Sequence, residues 1–134
     1  MARKKAIPQE IRDEVIAIVD QFNEENARPQ KASPMQRVMQ MLGMAAENET
    51  IYPIGAYVPR FQGSFLYLDR VGWNGRLSEI CRLKWTGSMD TWEFAIYKHS
   101  RNYYDPDEWM FPGAGEVDGT VAGAMRAGKI AYPD

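Results

Sequence analysis

A single cysteine and a single histidine are all that this 134-residue chain holds of the two side chains that most often serve metal, redox or nucleophilic chemistry. One cysteine excludes a disulfide within the chain and fits a reducing cytoplasm. No apolar run approaches the roughly 18 residues of a membrane helix. The opening "MARKKAIPQE" leads into a polar helical pattern, not the apolar stretch of a secretory signal. Basic excess is missing too: 16 Lys and Arg stand against 18 Asp and Glu, a formal net charge of −2. That balance argues against nucleic-acid binding, where cationic contacts to phosphate supply most of the affinity. Neither G-x-S-x-G, nor a P-loop, nor a dinucleotide fingerprint occurs. What remains is ordinary for a globular chain, 45% hydrophobic and 25% charged. The length suits a single domain over 1–134 that buries about two thirds of its unfolded surface and needs no disulfide or metal to fold.

Residues 1–7 read as a disordered lead-in. Over 8–25, Ile11, Val15, Ile18, Val19 and Phe22 recur at helical spacing between charged residues, with Pro8 suited to the first turn. The stretch "NARPQKAS" at 26–33 is a polar break. Ser33-Pro34 then signals a second helix over 34–47, rich in methionine and weakened by Gly43. A last helix is expected over 118–130, with Asp118 as N-cap. Its small residues Gly119, Gly123, Ala124, Ala127 and Gly128 suggest a backbone pressed closely against a sheet.

Between the helices the chain reads as antiparallel β, with strands near 56–61, 64–71, 78–86 and 91–98. Asn74-Gly75 signals a two-residue hairpin in which both positions take positive φ. That turn sets Leu68 opposite Cys81, Leu66 opposite Leu83 and Arg70 opposite Glu79 as an ion pair. The next turn, "GSMD", sets Leu83 opposite Phe94, Cys81 opposite Ile96 and Trp85 opposite Trp92. Both turns agree on one buried face: Leu66, Leu68, Cys81, Leu83, Trp85, Trp92, Phe94 and Ile96. The other face, mixed in character, holds Phe65, Tyr67, Asp69, Ile80, Arg82, Lys84, Glu93, Ala95 and Tyr97. The expected architecture is therefore α+β: an N-terminal helix and a second one after it, an antiparallel meander of three to four strands, and a C-terminal helix on one sheet face.

No catalytic residue is assigned. Cys81 falls on the buried face, where a thiol is inert. His99, Asp105, Asp107 and Glu108 are residue types of a mixed nitrogen–oxygen metal site, but their spacing matches no metal motif, and "YDPDE" reads as a solvated turn. No metal or cofactor is expected. If the chain holds a binding site, the residues 99–113 are its place: His99, Tyr103, Tyr104, Asp105, Trp109 and Phe111, either as a ligand wall or interface anchor or as a cover for the end of the sheet.

The helix–strands–helix order is similar to that of double-stranded-RNA-binding domains, but the basic cluster of that family is replaced here by "GEVDGTVAG". The stretches "YVPRFQGSFLYLDR", "CRLKWTG", "WEFAIYKHS", "YDPDEWMFPG" and "DGTVAGAMRAG" give the chain from Tyr57 to Pro133 a likeness to a family of short prokaryotic proteins of unknown function. That likeness implies a cytoplasmic, prokaryotic setting and no particular chemistry. The expected function is a small, non-enzymatic binding module for a protein partner or a second copy of itself, with no membrane role. The alternatives are a small-molecule binder or enzyme using the 99–113 loop, and a weak RNA binder using the mixed sheet face.

Overall fold

The computed structural model describes residues 6–27 and 53–133. The helix expected over 34–47 lies outside the described residues. Along the described chain run α1 (Gln9–Asn26), β1 (Tyr57–Gln62), β2 (Phe65–Val71), β3 (Leu77–Lys84), β4 (Glu93–Lys98), β5 (Tyr103–Asp105), a 3-10 turn (Ala114–Glu116) and α2 (Val121–Ala131). The strands form one antiparallel meander in the order β1-β2-β3-β4-β5. The α+β architecture is as the sequence predicts, but the strand count is five and not three to four. The extra strand is only three residues long, too short for apolar alternation to reveal it.

Both helices pack on one face of this sheet. Val15 and Val19 of α1 and Val121, Ala124, Met125 and Ala127 of α2 share a core with Leu66, Leu68, Cys81, Leu83, Phe94 and Ile96. Each large side chain buried there contributes about 1.5–3 kcal/mol. Tyr57, on the outer strand, ties the layers together. Its hydroxyl donates to Met125 O on α2 at 2.7 Å. Its backbone N–H and C=O bond the Asn23 side chain of α1 at 2.8 and 2.9 Å. The amide thus closes part of a sheet edge that would otherwise invite strand pairing.

The β3–β4 register is as expected, with Cys81 opposite Ile96, Leu83 opposite Phe94 and Lys84 opposite Glu93. Trp85 and Trp92 meet with ring centres 4.9 Å apart and planes tilted by 56°. The β2–β3 register agrees only in its inner half. The Asn-Gly turn is a three-residue loop over 73–75, closed by Gly75 N–H to Gly72 O at 2.9 Å and Gly72 N–H to Arg76 O at 2.8 Å. Gly75 takes the left-handed conformation (φ 79°), as the last residue of such a loop requires. Asn74 instead turns its Oδ1 to accept from Arg76 N–H at 3.0 Å. The extra loop residue shifts the outer half of the ladder by one, so Asp69 faces Glu79 and Arg70 faces Ser78. A bulge at Ile80 restores Leu68 opposite Cys81.

Two expectations change with this bulge. Ile80 turns from the mixed face into the core, where it is 2% exposed. Arg70 does not pair with Glu79. Its guanidinium lies on the core side and donates to Gly128 O in the last turn of α2 and to Tyr132 O just beyond it. The N-cap of α2 also differs. Thr120, not Asp118, caps the helix by accepting from Gly123 N–H, while Asp118 accepts from the Thr120 N–H and hydroxyl.

Candidate functional site: the helix-free face of the sheet

On the side away from the core, no helix among the described residues packs against the sheet. Strand alternation brings Arg60, Tyr67 and Arg82 into one row across β1, β2 and β3. Val58, Asp69 and Glu79 form the row on one side of it, and Gln62, Phe65 and Lys84 the row on the other. Tyr104 enters from the far edge, where it sits opposite Tyr97. Its ring nonetheless lies 5.3 Å from that of Tyr67 on β2, so it reaches across the intervening strands. Ala95 of β4 carries only a methyl group on this face and is still 3% exposed, as expected under an overlying ring.

The rings form a continuous band. Phe65–Tyr67, Tyr67–Tyr104, Tyr104–Tyr97, Tyr97–His99 and His99–Tyr132 follow one another at 6.2, 5.3, 4.9, 4.8 and 5.0 Å. These separations fall in the range where aromatic pairs attract beyond simple burial. Arginines stack on the band. Arg60 lies 4.4 Å above Tyr67, and Arg82 lies 4.6 Å from the Phe65 ring centre and 5.5 Å from that of Tyr104.

The charges of this face are unevenly satisfied. Asp69 is 8% exposed, and its Oδ2 stands 3.5 Å from Arg60 Nε. Its Oδ1 has no hydrogen-bond partner among the described residues. Burial pushes its carboxyl above the usual carboxylate range, with Arg60 opposing and Glu79 reinforcing the shift. Burial also pushes the Tyr104 hydroxyl up to about 12, with Asp69 adding to the effect, so it stays protonated at neutral pH. The Arg82 side chain is half-buried, and its guanidinium makes neither an ion pair nor a hydrogen bond with any described residue.

The six residues singled out in the 99–113 stretch separate into three places. His99 and Tyr104 join the aromatic band. Trp109 and Phe111 lie on the helix side, where they stack on Phe94 at 6.1 and 5.8 Å. Tyr103 and Asp105 are the end residues of β5, beside the turn that follows it: the Tyr103 hydroxyl donates to Asp105 Oδ2 at 2.8 Å, and Asp105 Oδ1 accepts from Asp107 N–H at 2.9 Å. These bonds, the tyrosine's first, hold the Asp105 carboxyl below its ordinary range. Lys98 fastens the loop to the sheet through Glu108 at 2.7 Å and Asp105 at 3.4 Å.

Among the described residues, three hollows lie at the rim or on the helix side. A groove of about 420 Å³ runs between α1 and α2 beside Phe22 and Arg126. A hollow of about 180 Å³ lies near Arg70, Trp73 and His99. A third, of about 270 Å³, opens between the sheet edge and the 99–113 loop beside Ile96, Lys98, Met110 and Phe111. Cys81 is fully buried and its thiol is pushed far up by that burial, so it is not placed to act as a nucleophile. No cluster of three or more His, Cys, Asp or Glu residues suited to a metal ion occurs among the described residues.

Arg60 is a member of the face that the sequence reading put near the sheet without pairing it. The signal was the Gly63-Ser64 loop, which joins Gln62 to Phe65 as a two-residue hairpin and so fixes Arg60 opposite Tyr67 and Val58 opposite Asp69. Comparison with protein-family models, curated proteins and solved structures gave no match.

Proposed function

We propose that the chain is a small non-enzymatic binding module of the prokaryotic cytoplasm that holds an extended segment of a protein partner on the helix-free sheet face. The observation that carries this reading is Arg82, a half-buried guanidinium stacked between Phe65 and Tyr104 with no polar partner among the described residues. Tyrosine and arginine dominate the hot spots of protein interfaces, because they bring large contact area with few lost rotamers and a polar tip. A face spread across several strands suits a macromolecule, whereas small ligands occupy concave pockets of about 300–1,000 Å³. Cytoplasmic setting is supported by the single cysteine, kept as a buried thiol.

The test is recovery of the partner from the chain's own cell extract. A specific protein is expected to come down with the tagged chain and to be lost with Arg82→Ala and with Tyr104→Ala, each of which is a surface truncation. Loss of a hot spot costs at least about 2 kcal/mol, roughly 30-fold in affinity. Glu24→Ala, on the exposed side of α1, leaves recovery intact. A chain that stays monomeric and recovers nothing refutes the reading.

A second reading rests on the hollow of about 270 Å³ beside the 99–113 loop. A small apolar ligand there raises the thermal midpoint of the native chain, and Phe111→Ala removes that shift. The absence of any shift across a metabolite panel removes this reading.

A further inference from the structure

We infer that the partner segment presents a carboxylate side chain to Arg82, so that the helix-free face recognises an acidic, aromatic-containing extended peptide. This inference rests on the sheet-face reading given above. A guanidinium carries five N–H donors in one plane. In Arg82 the plane is flanked by Phe65 at 4.6 Å and Tyr104 at 5.5 Å, and none of its donors is used by a described residue. Stacked rings occupy the faces of such a group and leave its edge for a coplanar acceptor, and a carboxylate fits that edge with two parallel hydrogen bonds.

The other charges on the face say where the acid sits. Arg60 is already committed to Asp69 at 3.5 Å and to the face of Tyr67. Asp69 and Glu79 fill the row on one side of Arg82 and repel an acid there. Lys84, two positions along β3 on the same face, lies on the other side, opposite Glu93. The carboxylate therefore approaches from the Phe65–Lys84 side. Rings on the peptide extend the band of Tyr67 and Tyr104. A polyanion is a poorer occupant, since Arg60, Arg82 and Lys84 are matched on this face by Asp69, Glu79 and Glu93, and phosphate binding draws on cationic excess.

The experiment titrates the isotope-labelled full chain with a short synthetic peptide of alternating Glu and Tyr, with its Gln–Tyr counterpart, and with oligouridylate. The Glu–Tyr peptide is expected to move the amide signals of Phe65, Arg82 and Tyr104 and the Arg82 side-chain Nε–H signal. The Gln–Tyr peptide binds about tenfold more weakly, the step expected when a charge-assisted pair is replaced by a neutral one. Arg82→Gln makes the two peptides equal. Equal affinity for the native chain, an acid preference that survives Arg82→Gln, failure of both peptides to bind, or oligouridylate binding tighter than the Glu–Tyr peptide each overturns the inference. Shifts on the sheet face with no acid preference sink the carboxylate alone and leave the face reading standing. Shifts confined to the helix side sink both.

Discussion

Replacing Gly128 by alanine probes how closely α2 lies on the sheet. A Cβ at this position would stand 2.5 Å from Ile80 Cγ2 and 2.5 Å from the Tyr57 hydroxyl. On an exposed helix the change would stabilise by about 1 kcal/mol through propensity alone. Here the added methyl overfills a packed contact, which costs about 1–3 kcal/mol. It also pushes on the hydroxyl that donates to Met125 O at 2.7 Å, a bond that contributes about 0.5–1.5 kcal/mol. The net expectation is a loss of about 2 kcal/mol, read as a lower denaturation midpoint with an unchanged slope. Tyr57→Phe removes one of the two clashing atoms, so its combination with Gly128→Ala is less destabilising than the separate losses added together. A Gly128→Ala chain more stable than the native one refutes the close approach, and with it the bulge that turns Ile80 toward α2.

Gly119→Ala should be costly for two reasons: φ is 87°, which costs a non-glycine residue about 1–2 kcal/mol, and its Cβ would collide with Asp90 O. A neutral result in chemical denaturation would contradict the local backbone. Cys81, 0% exposed, should resist thiol reagents in the native state and react promptly in denaturant; fast native labelling would contradict its burial. Asp69→Asn should stabilise the fold at neutral pH. The native carboxyl is raised above its unfolded value, so the folded state binds the proton more tightly and stability falls as pH rises through the folded pKa. The gain should vanish below about pH 4, where the aspartate is protonated in both states. Destabilisation by Asp69→Asn at neutral pH would show that the Arg60 pair outweighs burial.

The centre of the sheet was legible because two turns and one apolar alternation agree on it: Cys81 and Leu83 belong to both hairpins and face Leu68 and Leu66 in one, Ile96 and Phe94 in the other. The outer part of β2–β3 was not, because Asn74-Gly75 fits two loop lengths. Only the three-residue form demands the bulge at Ile80, and that bulge moves Arg70 from an expected ion pair to the end of α2. β5 was hidden in a tyrosine-rich loop whose three paired residues alternate too briefly to be read. The candidate face was half visible. Alternation alone places Tyr67 opposite Arg82, but nothing local says that Tyr104 reaches across from the other edge to meet them. The 99–113 stretch resisted a single answer for the same reason: strand alternation at β5 sends Tyr104 to one face, while the chain after the turn carries Trp109 and Phe111 to the other.

The claim that the helix-free face is the functional surface is tested most directly by a photo-crosslinking amino acid placed in living cells at Gln62, exposed on that face, or at Ala17, exposed on α1. The account predicts a discrete protein adduct from Gln62, lost when Arg82→Ala is added, and no adduct from Ala17. Adducts from Ala17 alone, adducts from Gln62 that are indifferent to Arg82→Ala, or adducts to RNA in place of protein would contradict it.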